Sequence, residues 1–163
     1  MKTLYIIRHA KSSWKNTENS DFERPLNKRG KADRKIIGKR LAIENCIPCL
    51  FVSSSAKRTK ETSIEIAKAI GYNITQIKYM DSLYHASSNV MLSAINNQDN
   101  KFENLIMVGH NPGISNLNFQ LTGQFISFST SGISKITFET ENWEEIFNDT
   151  GYLEFFENPK TLM

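Results

Sequence analysis

The sequence predicts an α/β protein of three layers, α/β/α, with a mostly parallel central sheet and an antiparallel pair of strands at its C-terminal edge. Three observations carry this. Short apolar runs with the length of buried strands (LYII, LFVS, LIMVG) alternate with segments of helical periodicity. No repeat, low-complexity tract or linker interrupts the alternation, so residues 1–163 read as one domain. The tail then changes character, to SKITFETE and YLEFFE around a turn-rich NDTG.

Taken in order, LYII is a short strand, followed by a polar loop, AKSSWKNTENSDFERPLN, long enough to suggest a role beyond connection. Asn27 is placed to cap a helix that carries Ala32, Ile36, Ile37 and Leu41 on one stripe. LFVS is a second buried strand, and the helix over SAKRTKETSIEIAKAIG stops at Gly71. NITQIKYM alternates like a strand, NVMLSAINN has a helical pattern, and LIMVG is the third buried run. Asn111-Pro112-Gly113 opens a further helix, with Asn111 as cap and Pro112 at the first helical position. The aromatic tail, with Phe138, Trp143, Phe147, Tyr152, Phe155 and Phe156, reads as core packing and cover for a sheet edge, or else as a surface for a partner.

Composition narrows the function classes. At 39% hydrophobic and 23% charged, the chain is an ordinary globular one. No apolar stretch reaches the roughly 18–20 residues of a membrane span, and the first residues lack the pattern of a signal peptide, so a cytoplasmic protein without membrane association is expected. Of the 20 Lys and Arg, 17 fall in residues 1–80, together with 7 of the 17 Asp and Glu. Such a basic half suits anionic partners. Much of it lies in NKRGKADRKIIGKR, an exposed helix face without interleaved aromatics to stack bases, which argues against nucleic acid. Cys46 and Cys49 form a CxxC, but it follows a helix instead of opening one, and no third and fourth ligand accompany it. Structural cysteines and no metal are expected.

The chemistry gathers at strand ends. LYII delivers Arg8 and His9; LFVS delivers Ser53 to Ser55 and then Arg58; LIMVG delivers His110 just before a helix start. In parallel sheets sites form outside the carboxyl ends of the strands, so these residues are expected to converge on one edge. A lone histidine or arginine is usually structural, but three strands delivering both to one edge point to an oxyanion site.

RHAKSSW at Arg8–Trp14, SSSAKRTKET at Ser53–Thr62 and VGHNPG at Val108–Gly113 together resemble the histidine phosphatase superfamily, the phosphoglycerate-mutase-like or RHG family, from the start of the chain to about Gly113. The short chain, ERPLNKRG at Glu23–Gly30 and the lack of a large inserted cap resemble the SixA-type phosphohistidine phosphatases in particular. The resemblance implies that His9 is the nucleophile, that Arg8, Arg58 and His110 hold the phosphoryl oxygens, and that Ser12 and Asn111 join them in binding substrate. Ser12 is equally readable as a turn cap. Ala10 stands where the family has the glycine of RHG, and Lys11 where mutase-like members have an acidic residue. Histidine attacks phosphorus only with one ring nitrogen unprotonated, so a backbone carbonyl is expected on the other N–H of His9.

The relatives' general acid is a mid-chain glutamate, absent here; Asp81 in YMDSLYHAS, with His85 close by, is the candidate in its place, against the reading of a solvated loop carboxylate. A weakly supplied acid favours a P–N bond, since imidazole, with a pKa near ~6.5, is a better leaving group than an alkoxide. The preferred expectation is therefore dephosphorylation of phosphohistidine on a protein. The alternative is a phosphomonoesterase acting on a small sugar, nucleotide or metabolite phosphate. A mutase, or a phosphate-binding module without turnover, fits less well. No cofactor is called for, because arginines and histidines already bring the positive charge.

Overall fold

The computed structural model describes residues 1–163. Six strands form one sheet: β1 (Lys2–Arg8), β2 (Cys49–Ser54), β3 (Lys78–Met80), β4 (Asn104–Gly109), β5 (Ile133–Phe138) and β6 (Gly151–Glu157), in the order β3-β2-β4-β1-β5-β6. The first four run parallel, β5 pairs antiparallel with β1, and β6 pairs antiparallel with β5. Five helices accompany them: α1 (Lys28–Ile43), α2 (Lys57–Ile70), α3 (Ser88–Asn96), α4 (Gly113–Thr122) and a short α5 (Pro159–Leu162).

Side chains alternate across each strand, so the sheet has two apolar faces. Tyr5, Ile7, Phe51, Ile106 and Val108 pack against Ile37 and Leu41 of α1 and Ile66 of α2. Leu4, Ile6, Val52 and Met107 pack on the opposite face against Met91 and Ile95 of α3 and Leu117 of α4. This is the three-layer arrangement the alternation predicts, with no cap domain. No helix is long and apolar enough to cross a membrane.

Local details follow side-chain chemistry. Asn27 caps α1 by accepting from Gly30 N at 2.8 Å, and Gly71 ends α2 in the left-handed region. The buried stripe of α1 is Gly30, Asp33, Ile37 and Leu41, which corrects the expected one: Ala32 faces solvent. NITQIKYM is also corrected. Only Lys78–Met80 is strand, because Asn73 accepts from the backbone and hydroxyl of Thr75 and winds Ile74–Gln76 into a 3-10 turn. At α4, Pro112 takes the cap position instead of the first helical one, while the Asn111 side chain accepts from Ser115 N at 3.2 Å. In the tail, Phe138 and Trp143 are buried core, whereas Phe147 and Tyr152 are exposed.

Candidate active site

Register brings the strand ends together. Arg8 of β1 lies opposite Gly109 of β4, so His9 and His110 leave adjacent parallel strands side by side, and His9 N–H donates to Gly109 O at 3.1 Å. Their rings are 5.3 Å apart between centroids. β2, on the other side of β4, places Ser54 against His110, with Oγ and Nε2 at 2.8 Å, and α2 then carries Arg58 inward from its first turn. A cavity of about 330 Å³ opens here, and Arg8, His9, Ser12, Arg58, His110 and Asn111 all line it. The convergence read from the strand ends is what the register produces.

The His9 ring is oriented as phosphoryl chemistry requires. Nδ1–H donates to the backbone carbonyl of Ala10 at 2.7 Å, which leaves Nε2 with its lone pair. Burial, and then the charges of Arg58, Arg8 and Arg24, depress its pKa to about 3, so the ring stays neutral. Burial and the neighbouring His9 and Arg58 push His110 down to about 2. Ser54 Oγ accepts from Ala56 N–H and shares one proton with His110 Nε2, its own or that of the imidazole.

Several nitrogens around His9 have no partner in the protein. His110 Nδ1, Arg8 Nε and Arg58 Nε are buried without a hydrogen bond. Each buried polar group left so costs ~1–3 kcal/mol. All three belong to residues that line the cavity, and two of these are arginines, whose guanidinium groups suit an oxyanion. Arg8 is held by Nη1 donating to Phe128 O at 2.8 Å, and Asn111 Nδ2 donates to the same carbonyl at 2.9 Å.

The long loop between β1 and α1 supplies groups that sequence reasoning missed. Arg24 donates through Nη1 to Ser12 Oγ at 2.6 Å and through Nε to Asp21 Oδ1 at 3.1 Å, and its guanidinium lies 3.5 Å from the centre of the Trp14 ring. Asp21 accepts from Arg58 at 3.0 Å, from the Tyr84 hydroxyl, and from His85 Nε2 at 2.9 Å. Burial pushes the Asp21 carboxyl up, but the bonds from Tyr84, His85 and Arg58 outweigh it and hold the group well below the usual carboxylate range. Asp21, Arg24, Trp14 and His85 line the cavity. The available signal was the loop's length and the density of charge in DFER.

Asp81 is not brought to the cavity. It opens a 3-10 turn, and its carboxylate accepts from the Ser55 hydroxyl. The rule that strand ends carry function pointed to it, but Ser55 turns it aside.

A family model described as histidine phosphatase superfamily (branch 1) matches residues 4–91. The chain belongs to that superfamily. As a histidine phosphatase it is a hydrolase of the phosphatase type, and solved structures similar to it agree in fold. It is similar to the SixA protein of Agrobacterium tumefaciens, assigned as a phosphohistidine phosphatase, with a TM-score of 0.82 and 29% identity over 97% of this chain and 98% of that one. A protein histidine phosphatase SixA complexed with tungstate matches at TM-score 0.82 and 19% identity over 99% of each chain, which is likeness of fold. Among curated proteins, an uncharacterised chloroplastic protein of Arabidopsis thaliana is 28% identical over 92% of this chain and 72% of its own length.

Proposed function

We propose that this histidine phosphatase removes phosphoryl groups from phosphohistidine on a protein, through a covalent phosphohistidine formed at His9. The observation that carries the reading is the gathering of Arg8, Arg58 and His110 at one cavity with a neutral His9 whose Nδ1 is already committed to Ala10 O. Nε2 attacks phosphorus in line, and the two guanidinium groups and His110 hold the equatorial oxygens, where charge accumulates. Water then attacks the phosphoenzyme and releases inorganic phosphate. Ser12, held by Arg24, and Asn111 complete the binding set.

A macromolecular substrate is supported by the absence of a cap over the cavity and by the exposed Lys11 and Trp14 at its rim. Likeness to SixA proteins points the same way. The reading takes residues 1–163 as one catalytic domain. It places the enzyme in the cytoplasm, in keeping with two free cysteines.

One observation favours the alternative, a small-molecule phosphomonoesterase. The Asp21–His85 pair stands at the cavity, and a proton source is what cleavage of a P–O ester needs. Hydrolysis of a phosphohistidine-bearing protein, measured against a panel of small phosphate esters, decides between them. Higher kcat/KM on the phosphoprotein is expected. Equal or better turnover of an ester contradicts the preferred substrate.

A further inference from the structure

Cleavage of a phosphate ester leaves an oxygen that needs a proton, and most titratable groups at this cavity cannot give one. His9 and His110 are kept neutral by burial, and the one ring proton of His9 is committed to Ala10 O. Asp21 is held ionised by Tyr84, His85 and Arg58. Asp81 is bonded to Ser55 outside the cavity. Tyr84 donates its hydroxyl proton to Asp21.

His85 differs from all of these. Its side chain is 49% exposed, yet it lines the cavity, and its ring centre is 5.0 Å from that of His110. Its Nε2 is committed to Asp21 Oδ2 at 2.9 Å, which leaves Nδ1 for a substrate. The backbone at His85 has φ +49°, a left-handed conformation that a residue with a Cβ adopts at a cost. The turn is pinned from outside the site: a Cβ on Gly113 would stand 2.1 Å from Ala86 O, so the start of α4 closes directly on the residue after His85. The fold thus holds a strained turn firmly in place, and that turn presents an imidazole.

We propose that His85, oriented by Asp21, is the general acid and base of the reaction; this rests on His9 being the nucleophile. In the first step the His9 Nε2 lone pair forms the N–P bond as the bond from phosphorus to the leaving group breaks, a P–N bond in phosphohistidine and a P–O bond in an ester. The leaving nitrogen or oxygen takes the Nδ1 proton of the His85 imidazolium, whose Nε2–H stays on Asp21. In the second step water forms the new P–O bond, its proton goes to His85 Nδ1, and the P–N bond to His9 breaks. Phosphate leaves, and both histidines return to their starting states. Asp21 is a positioning residue in this scheme.

The test uses p-nitrophenyl phosphate, whose leaving group departs without a proton, beside phosphoserine, whose alkoxide needs one. His85→Gly suits the φ of the site and so preserves the fold; His85→Asn, which also tolerates positive φ, carries the test if the glycine variant does not fold. General acid catalysis contributes roughly 10²–10⁴-fold, so kcat/KM on phosphoserine should fall at least ~100-fold and on the aryl ester less than about 5-fold, with imidazole in the buffer restoring phosphoserine turnover to the glycine variant. An equal loss on both substrates, no loss on either, or a wild type that cleaves the aryl ester but never phosphoserine overturns the proposal. Failure of the underlying reading is seen separately, as a wild type that forms no phosphoenzyme at His9 from the aryl ester.

Discussion

Arg58 grips Asp21 twice, through Nη1 on the backbone carbonyl at 2.6 Å and through Nη2 on the carboxylate at 3.0 Å, and lines the cavity beside His9. A lysine offers one point charge and cannot reproduce this fork. Arg58→Lys should lower kcat/KM about 10²–10³-fold, the loss typical of a missing oxyanion donor. Steady-state kinetics check this. Retained activity would remove Arg58 from the phosphate cradle.

Stability should decline in mild acid. Burial, and then neighbouring charge, depresses His9 to about 3 and His110 to about 2, whereas free histidine titrates near ~6.5. Above about pH 6.5 both rings are neutral in the folded and unfolded chain, and the stability they allow is complete. As pH falls from there toward about 3, the unfolded chain takes up protons that the folded chain refuses, and stability is lost. Asp21, held low in the folded state, adds a loss of the same sign below about pH 4. Thermal unfolding should show a lower Tm at pH 5 than at pH 7.5, with a smaller drop in His110→Gln. The same drop in both proteins would contradict the assignment.

Gly30 holds the two halves of the site loop together. A Cβ there would lie 2.1 Å from Lys11 O, and the backbone N–H of Asn27 donates to that same carbonyl. Gly30→Ala must push Lys11 and Ser12 off the start of α1, so a loss of ~1–3 kcal/mol in denaturant unfolding is expected, together with reduced phosphate affinity. An alanine variant of full stability and affinity would contradict this.

Trp14 stacks on Arg24 while its side remote from the guanidinium is open, 73% of the residue being exposed. Exposed cation–π contacts contribute ~0.5–1 kcal/mol, so Trp14→Ala should raise KM about two- to five-fold with kcat in place. A change confined to kcat would place Trp14 in the chemistry instead.

The site's skeleton was legible in the sequence because strand ends are fixed by apolar runs. LYII and LIMVG bring Arg8, His9 and His110 together through parallel register, and the helix that follows LFVS adds Arg58. Asn27 and Gly71 were readable because capping is local chemistry. Asp21 was not, since its partners Arg58 and His85 are 37 and 64 residues away and nothing periodic marks a loop carboxylate. Arg24 was hidden in the same way: its partners Ser12 and Trp14 lie across the loop from it. Asp81 was chosen by position, and the hydroxyl that captures it, Ser55, comes from another strand's end. NITQIKYM misled because its alternation is real, but Asn73 bonds to its own neighbours before a ladder can form.

The central claim is that His9 carries the phosphoryl group. Rapid quenching of the protein with p-nitrophenyl phosphate, followed by peptide mass spectrometry under alkaline conditions, should find a phosphoryl adduct on His9, absent from His9→Ala, which should also lose at least ~1,000-fold in kcat. An adduct on another residue, or a His9→Ala protein that turns over at the wild-type rate, would contradict it.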